Sequence, residues 1–310
     1  MRLRWLYIFL AIVCLVSVGI LGSLYSFLYA NCPDARPLGS GSHSDNFVFD
    51  RIELADSAKL LILVPGALNS IDGFASARTL SSRGFATAFY RFPGMDGRPL
   101  DQVVSIADIA QEVVDFTSRF PAKEVSIVGF SIGGQVALEA AARSKGRIKK
   151  VVVLGGSTGF PSTFGAGFRA LGWVASRAWA MATIDFAAVW KDFYKVLLFG
   201  EAGVTDPELS RRSDEIIAAR RAKIVTPTRA LVCSHMRDIT FRAAVDSTDV
   251  GDTPILFVHG RWDIVSPVEG VAAYARQFKA SRFVILERQG HQIFLTERAL
   301  FERVGEFLSD

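Results

Sequence analysis

The stretch VSIVGFSIGGQVAL, residues Val125–Leu138, decides the fold of this chain. It contains a Gly-x-Ser-x-Gly pattern in which Ser131 lies between Gly129 and Gly133. An apolar strand-like run precedes this serine, and alanine-rich helical sequence follows it directly. A serine on such a strand-to-helix turn has a strained backbone that only small neighbouring residues permit. The stretch therefore predicts a nucleophile elbow with Ser131 at its tip.

A second match to the same pattern occurs at GGSTG, residues 155–159. Its serine, Ser157, also follows a strand-like run, but the sequence TGFPSTFG after it has no helical character. An elbow needs a helix that starts at once. We therefore expect Ser157 on the rim of a substrate pocket, at the end of the next strand, and not as the nucleophile.

Apolar runs alternate with amphipathic helical segments from about residue 47 onwards. The run KLLILV is uninterrupted, as is typical of a strand that is buried on both faces. Strands that alternate with helices predict a mostly parallel sheet covered on both sides. The predicted strands include the segments 59–64, 86–92, 125–130, 149–156, 253–260 and 281–288, and the predicted helices include 71–83, a segment from Ile106, one from Ser131, one after Pro267 and one from His291 to Leu308.

The alternation breaks between residues 157 and 252, which read as largely helical. An insertion of this size predicts a helical cap over the site, placed after the sixth strand. Its aromatic residues are open to three interpretations: packing of the cap on the core, an apolar acyl or aromatic pocket, and contact with a membrane. They are Phe160, Phe164, Phe168, Trp173, Trp179, Phe186, Trp190, Phe193, Tyr194 and Phe199.

The N-terminal segment carries no charged residue from Trp5 to Cys32. About 20 apolar residues suffice to span a bilayer, whereas a cleaved signal peptide has a shorter apolar region of about 7–15 residues. We predict an uncleaved membrane anchor over residues 1–32 and a linker over residues 33–46. Because Arg2 and Arg4 precede the apolar run, the positive-inside rule predicts an extracytoplasmic catalytic domain.

Composition narrows the remaining classes. Half of the 310 residues are hydrophobic and the net charge is +4, without a long run of like charges, so nucleic-acid binding is not indicated. Cys32 and Cys233 could pair outside the cytoplasm, but unpaired thiols are favoured, because three cysteines do not make a disulfide framework. Nothing in the sequence asks for a metal or an organic cofactor, and nothing indicates an oligomeric state.

These motifs resemble the α/β-hydrolase superfamily, and in particular its serine esterases and lipases with a helical cap. The resemblance covers residues 47–156 and 253–310, with the cap at 157–252. In this family the nucleophile, the acid and the histidine follow one another along the chain. The segment FVHGRWDIVSP supplies Asp263 after a strand, and SRFVILERQGHQIF supplies His291. Of the other histidines, we expect His259 to make structural hydrogen bonds, and His43 and His235 lie in the linker and the cap.

The resemblance also implies an oxyanion hole made of backbone N–H groups. One donor would be Ile132, the residue after the nucleophile, and the other Ala67 in the loop PGALNS. Leu68 and Asn69 would then line the mouth of the site. In the later loop RFPGMDGRP, we expect Asp96 to be a turn residue and not the catalytic acid.

The implied activity is hydrolysis of carboxylic esters through an acyl-enzyme, with an apolar acyl or aromatic substrate. Ser131 would be the nucleophile, His291 the general base and acid, and Asp263 the residue that orients the imidazole. Thioesterase, amidase or peptidase, and carbon–carbon bond hydrolase activities use the same residues and stay open. A non-catalytic, membrane-anchored binding protein is an alternative of a different class.

Overall fold

The computed structural model describes residues 43–49, 57–100, 103–122, 124–159, 162–182, 185–220 and 228–310. Its centre is a seven-stranded sheet with the order β1-β3-β2-β4-β5-β6-β7. Every neighbouring pair is parallel except β1, which pairs antiparallel with β3. The strands are β1 (Phe47–Phe49), β2 (Lys59–Val64), β3 (Phe85–Tyr90), β4 (Glu124–Phe130), β5 (Ile148–Leu154), β6 (Ile255–Gly260) and β7 (Ser281–Leu286).

Two apolar layers cover the two faces of this sheet. One layer contains the helices α1 (Ile106–Ser118) and α2 (Ile132–Arg143), together with a later helix at Val268–Ala275. The other contains the 3-10 helix Ile71–Arg83 and the C-terminal helix Leu300–Ser309. Because both faces are covered, the central strands are apolar at nearly every position. The predicted mostly parallel sheet with helices on both sides is therefore confirmed.

Helix α1 shows how the sequence pattern leads to this packing. Ile106, Ile109, Val113 and Phe116 recur at steps of three and four, and all four are buried against the sheet. The helix begins after Ser105, whose side chain accepts a hydrogen bond from the backbone N–H of Asp108. The predicted helix from Ile106, with one apolar face toward the core, is therefore confirmed.

The cap lies between β5 and β6. It therefore follows the fifth strand of the described residues, whereas the prediction placed it after the sixth strand. The described residues form one strand, β1, before Lys59–Val64, and residues 50–56 lie outside them. The cap helices are α3 (Ser162–Ala180), α4 (Phe186–Phe199), α5 (Ala202–Thr205), α6 (Pro207–Arg220), α7 (Arg229–Phe241) and α8 (Ser247–Val250).

The C-terminal segment also departs from the prediction of a single helix from His291 to Leu308. It forms two helices, Ile293–Thr296 and Leu300–Ser309. Glu297 has an extended backbone, with φ −98° and ψ 106°, and this conformation interrupts the helix. The short helix stays next to His291, and the longer one covers the sheet.

The predicted anchor, residues 1–32, lies outside the described residues, as does most of the linker; its last four residues, His43–Asn46, form a short 3-10 helix. Within the described ranges, no helix combines the length and apolarity that a membrane crossing requires. Cys233 is disulfide-bonded, whereas Cys14 and Cys32 lie outside the described residues. The expectation of unpaired thiols was therefore wrong for Cys233, because sequence spacing does not reveal which distant segments meet in space.

Candidate active site

The turn between β4 and α2 has the strained geometry of a nucleophile elbow. Ser131 adopts φ 52° and ψ −117°, a conformation that is rare for a residue with a side chain. A Cβ added to Gly129 would lie 2.0 Å from the carbonyl oxygen of Gly133, and one added to Gly133 would lie 2.3 Å from that of Val64. Only glycine fits at these two positions. The local geometry predicted around Ser131 is thus present.

A buried carboxylate follows β6. Oδ2 of Asp263 lies 2.7 Å from Nδ1 of His291, and Oδ1 accepts the backbone N–H groups of Val265 at 2.8 Å and Ser266 at 2.9 Å. Burial alone would raise the pKa of Asp263. The neighbouring His291 charge and hydrogen bonds from His259 and His291 outweigh it and hold that pKa well below its ordinary value. The carboxylate is therefore charged and can orient the imidazole.

His259 is the second imidazole beside this carboxylate. Its Nε2 lies 2.7 Å from the carbonyl oxygen of Ser266 and 3.2 Å from Oδ2 of Asp263. The ring is fully buried, so it has no access to a substrate. This arrangement fits the structural role expected from the sequence, since His259 supports the acid.

The cap holds the loop that carries His291. The N–H groups of Gly290 and Gln292 each donate at 2.8 Å to carbonyl oxygens at the C-terminal end of α4, those of Leu198 and Leu197. A Cβ at Gly290 would lie 2.7 Å from the Leu197 oxygen, so glycine permits this close approach. These last carbonyls of a helix have no partner within it. The loop on either side of His291 thereby satisfies them and is fixed in place.

Ser131 and His291 line one cavity of about 280 Å³. Because Nδ1 of His291 faces Asp263, its Nε2 is the nitrogen left for the cavity. No hydrogen bond joins Ser131 to His291 among the described contacts; such bonds are often long before substrate binds and tighten in the complex. The structure thus brings the three predicted residues to one site, with the serine and the imidazole on the same cavity wall.

The two residues predicted to supply the oxyanion hole, Ala67 and Ile132, both lie at this cavity. Ile132 is the first residue of α2, so its N–H lacks an intrahelical acceptor. The N–H of Ala67 likewise makes no hydrogen bond within the described part of the chain. Both residues line the cavity, together with the predicted Leu68 and Asn69.

His235 on α7 anchors the same loop, although the sequence offered no signal for this. Its Nδ1 accepts the N–H of Leu68 at 3.0 Å, and its Nε2 lies 2.8 Å from the carbonyl oxygen of Pro93. The ring is therefore the neutral tautomer with its proton on Nε2. Burial lowers the pKa of His235 to about 4, against the hydrogen bond to Pro93. Leu68 has a left-handed backbone conformation, with φ 60°, and the hydrogen bond from its N–H to His235 holds it in that conformation.

The opposite wall comes from the cap. Three of the predicted aromatic residues, Trp190, Phe193 and Tyr194, line the cavity from α4, and small residues of α3 complete that side. By contrast, Trp179 is 88% exposed. The pocket interpretation thus holds for these three residues of α4, whereas Trp179 does not line the cavity.

Ser157 and Asp96 lie outside the cavity. Ser157 is buried, and its carbonyl oxygen accepts Nε2 of Gln135 at 2.6 Å. The prediction that Ser157 lies on the pocket rim therefore differs from the structure, because this chain segment is buried beneath the cap. Asp96 has φ 51° and accepts hydrogen bonds from the Ser70 hydroxyl at 2.5 Å and the Ile71 N–H at 3.0 Å. It is the expected turn residue.

Comparisons with known proteins agree with this geometry. A profile of the alpha/beta hydrolase fold family matches residues 59–298, and the chain belongs to this family. It is 22% identical over 201 residues to a pimeloyl-[acyl-carrier protein] methyl ester esterase of Nitrosospira multiformis, covering 61% of this chain and 69% of the relative.

Solved structures show the same fold. A thermophilic esterase from Thermogutta terrifontis superposes with a TM-score of 0.64 and 19% identity, covering 85% of this chain and 93% of that one. An enol-lactonase from Burkholderia xenovorans LB400 gives a TM-score of 0.65 and 18% identity over 85% of this chain and 95% of that one.

Proposed function

We propose that this hydrolase is a serine esterase that cleaves carboxylic esters through an acyl-enzyme. The observation that carries the proposal is the 2.7 Å contact between Asp263 and His291, on the cavity that the strained Ser131 also lines. A serine hydroxyl is a poor nucleophile until a neighbouring base accepts its proton. The imidazole, oriented by a charged and buried carboxylate, supplies that base.

In the proposed reaction, Oγ of Ser131 attacks the ester carbonyl while its proton moves to Nε2 of His291. The N–H groups of Ala67 and Ile132 stabilise the oxyanion of the tetrahedral intermediate. When this intermediate collapses, the alcohol leaves with the proton from His291. Water then attacks the acyl-enzyme by the same route, releasing the carboxylic acid and restoring the serine. Asp263 stays ionised throughout and stabilises the imidazolium.

The size and lining of the cavity support a small acyl group. Its volume of about 280 Å³ lies just below the range of about 300–1,000 Å³ for small-molecule sites. Trp190 and Phe193 provide an apolar wall, as an acyl chain requires. Thioesters, amides and carbon–carbon bonds are the competing substrates, and a panel of p-nitrophenyl esters, acyl thioesters and anilides ranks them.

A fluorophosphonate probe tests catalysis directly. We expect it to label the wild type, to fail with Ser131→Ala, and to label the matched control Ser157→Ala, which alters the serine of the second motif. Absence of wild-type labelling would favour the non-catalytic binding protein. Equal labelling of wild type and Ser131→Ala would contradict the assignment of the nucleophile.

We also propose that the chain is membrane-anchored through residues 1–32, with its hydrolase domain outside the cytoplasm. The charge distribution around this segment supports that topology. The disulfide at Cys233 adds support, because disulfides persist mainly in oxidising compartments. A C-terminal alkaline phosphatase fusion, which is active only outside the cytoplasm, should be active; an inactive fusion whose cytoplasmic reporter counterpart works would contradict the topology.

A further inference from the structure

The cavity has a cationic group on its cap side. Arg220, the last residue of α6, lines it together with Ser131 and His291. Next to Arg220 lies Tyr194: burial raises the pKa of this hydroxyl, and the adjacent arginine charge opposes that effect. The Tyr194 hydroxyl donates to Oε1 of Gln292 at 3.2 Å. An arginine, a tyrosine and a glutamine therefore meet on the wall of a cavity whose other lining residues are mostly apolar.

The charge of Arg220 has no carboxylate partner among the described residues. Its Nη1 donates to the backbone carbonyl oxygen of Asp72 at 3.3 Å, and its buried Nε has no hydrogen-bond partner. By contrast, Arg177 of α3 lies 2.6 Å from Asp192. The described residues that line the cavity include no aspartate or glutamate. A partly buried guanidinium without a counter-ion is costly, and a bound anion would lower that cost.

Gln292 offers a second donor at the same place. Its Oε1 accepts from Tyr194, whereas its Nε2 donates no hydrogen bond within the described structure, and the residue lines the cavity. Gln292 directly follows His291, whose loop α4 holds through the backbone. The amide is therefore in a fixed position relative to the reacting groups.

The cap also holds the helix that carries Arg220. Asp214 of α6 accepts Nζ of Lys191 at 2.7 Å and Nζ of Lys195 at 2.8 Å, both from α4. The two helices are thus linked about one and a half turns before Arg220. Such preorganisation lowers the conformational entropy that ligand binding would otherwise cost.

We propose that Arg220 and the Nε2 amide of Gln292 form a subsite for a carboxylate at the far end of the substrate. This subsite proposal rests on the proposed esterase activity. It assigns half-esters of short dicarboxylic acids as the substrate class. A guanidinium presents parallel N–H groups that match the two oxygens of a carboxylate. The small cavity limits the spacer between the ester and the carboxylate to a short chain.

The test compares methyl half-esters of the C4 to C8 dicarboxylic acids with their terminal-amide counterparts, which have nearly the same shape and no charge. In at least one chain length, the wild type should show a kcat/KM for the acid at least about 10-fold above that for the amide. The variant Arg220→Gln should reduce this acid-to-amide ratio by roughly 10–100-fold, the usual size of a hydrogen bond to a charged group. Arg220→Lys should retain part of the preference for the acid, since it keeps the positive charge but loses the parallel N–H groups of the guanidinium.

The matched control is Arg211→Gln, on the exposed side of the same helix, which should leave the ratio unchanged. A wild type with no preference at any chain length, or an Arg220→Gln variant with an unchanged ratio, would overturn the inference while leaving the esterase proposal intact.

Binding separates failure of the subsite from failure of the esterase. With Ser131→Ala, calorimetry should show glutarate binding at least about 10-fold tighter than its monoamide, and Arg220→Gln should remove the difference. Equal binding of the two compounds overturns the subsite. Tight glutarate binding to a wild type that hydrolyses no ester would instead overturn the esterase proposal and the half-ester substrate with it.

Discussion

Replacement of His235 should destabilise the fold at neutral pH by an amount that shrinks as the solution becomes acidic. The ring satisfies two backbone groups, the N–H of Leu68 and the carbonyl of Pro93. Leaving one buried backbone group unsatisfied costs about 1–3 kcal/mol. In His235→Asn, the amide oxygen can replace Nδ1 as acceptor, so only the Pro93 contact is lost. In His235→Leu both are lost, at a cost of about 2–6 kcal/mol.

The pH dependence follows from the depressed pKa. The folded value is about 4, against an ordinary value of 6.5, because burial, with a smaller contribution from the charge of Arg98, disfavours the imidazolium. The unfolded chain therefore binds a proton that the native ring excludes. The stability associated with the neutral ring is complete above pH 6.5 and is lost as the pH falls to about 4. The total is about 3.5 kcal/mol at about 1.4 kcal/mol per pH unit.

Urea unfolding at pH 7.5, 6.5, 5.5 and 4.5 measures this effect. The free energy of unfolding of His235→Leu should lie below that of the wild type at pH 7.5, and the gap should narrow by about 2.5 kcal/mol by pH 4.5. Arg237→Gln, an exposed change on the same helix, should follow the wild type at every pH. A gap that stays constant with pH would refute the reasoning.

The same variant tests whether His235 positions the oxyanion loop. Loss of the contact to Leu68 frees the backbone next to Ala67, the proposed oxyanion donor. Removing one such donor typically lowers kcat by about 10²–10³-fold, so we expect a fall of at least about 10-fold in kcat with little change in KM. His235→Asn, which keeps an acceptor for Leu68, should recover most of this loss. Equal kcat values for His235→Leu and the wild type would exclude the positioning role.

Three further substitutions test other parts of the structure. Asp263→Asn should reduce kcat for ester hydrolysis by about 10⁴-fold, because an amide donor facing Nδ1 of His291 selects the wrong tautomer. A reduction of less than about 10-fold would count against the role of Asp263. Gln135→Ala leaves two buried backbone groups unpaired, one at each junction of cap and core, and should cost about 2–4 kcal/mol in thermal unfolding, whereas the exposed Gln111→Ala should cost under about 0.5 kcal/mol. Gly133→Ala places a methyl group 2.3 Å from a backbone oxygen and should destabilise the fold by at least about 3 kcal/mol. The control Gly172→Ala, with nothing within 4 Å, should be neutral or stabilising by about 0.5–1 kcal/mol; similar unfolding temperatures for the two glycine variants would contradict the clash.

Much of the fold could be predicted from the sequence because its signals are local. The uninterrupted run at Lys59–Val64, the stripe of Ile106, Ile109, Val113 and Phe116, and the glycines around Ser131 each depend on residues a few positions apart. The order of acid and histidine after strand ends came from resemblance to a family. The edge strand Phe47–Phe49 was not among the predicted strands, because three residues carry little pattern.

The sequence by itself therefore determined the parallel sheet, the elbow at Ser131 and the two strand ends that carry Asp263 and His291. Tertiary structure alone decided that Ser157 lies buried under the cap, that His235 holds Leu68 across 167 positions of the chain, and that Arg220 faces the cavity without a carboxylate partner among the described residues. The physical reason is the distance along the sequence between the residues that interact. Turns and strands form through neighbouring residues, whereas contacts between cap and core depend on how distant segments pack together.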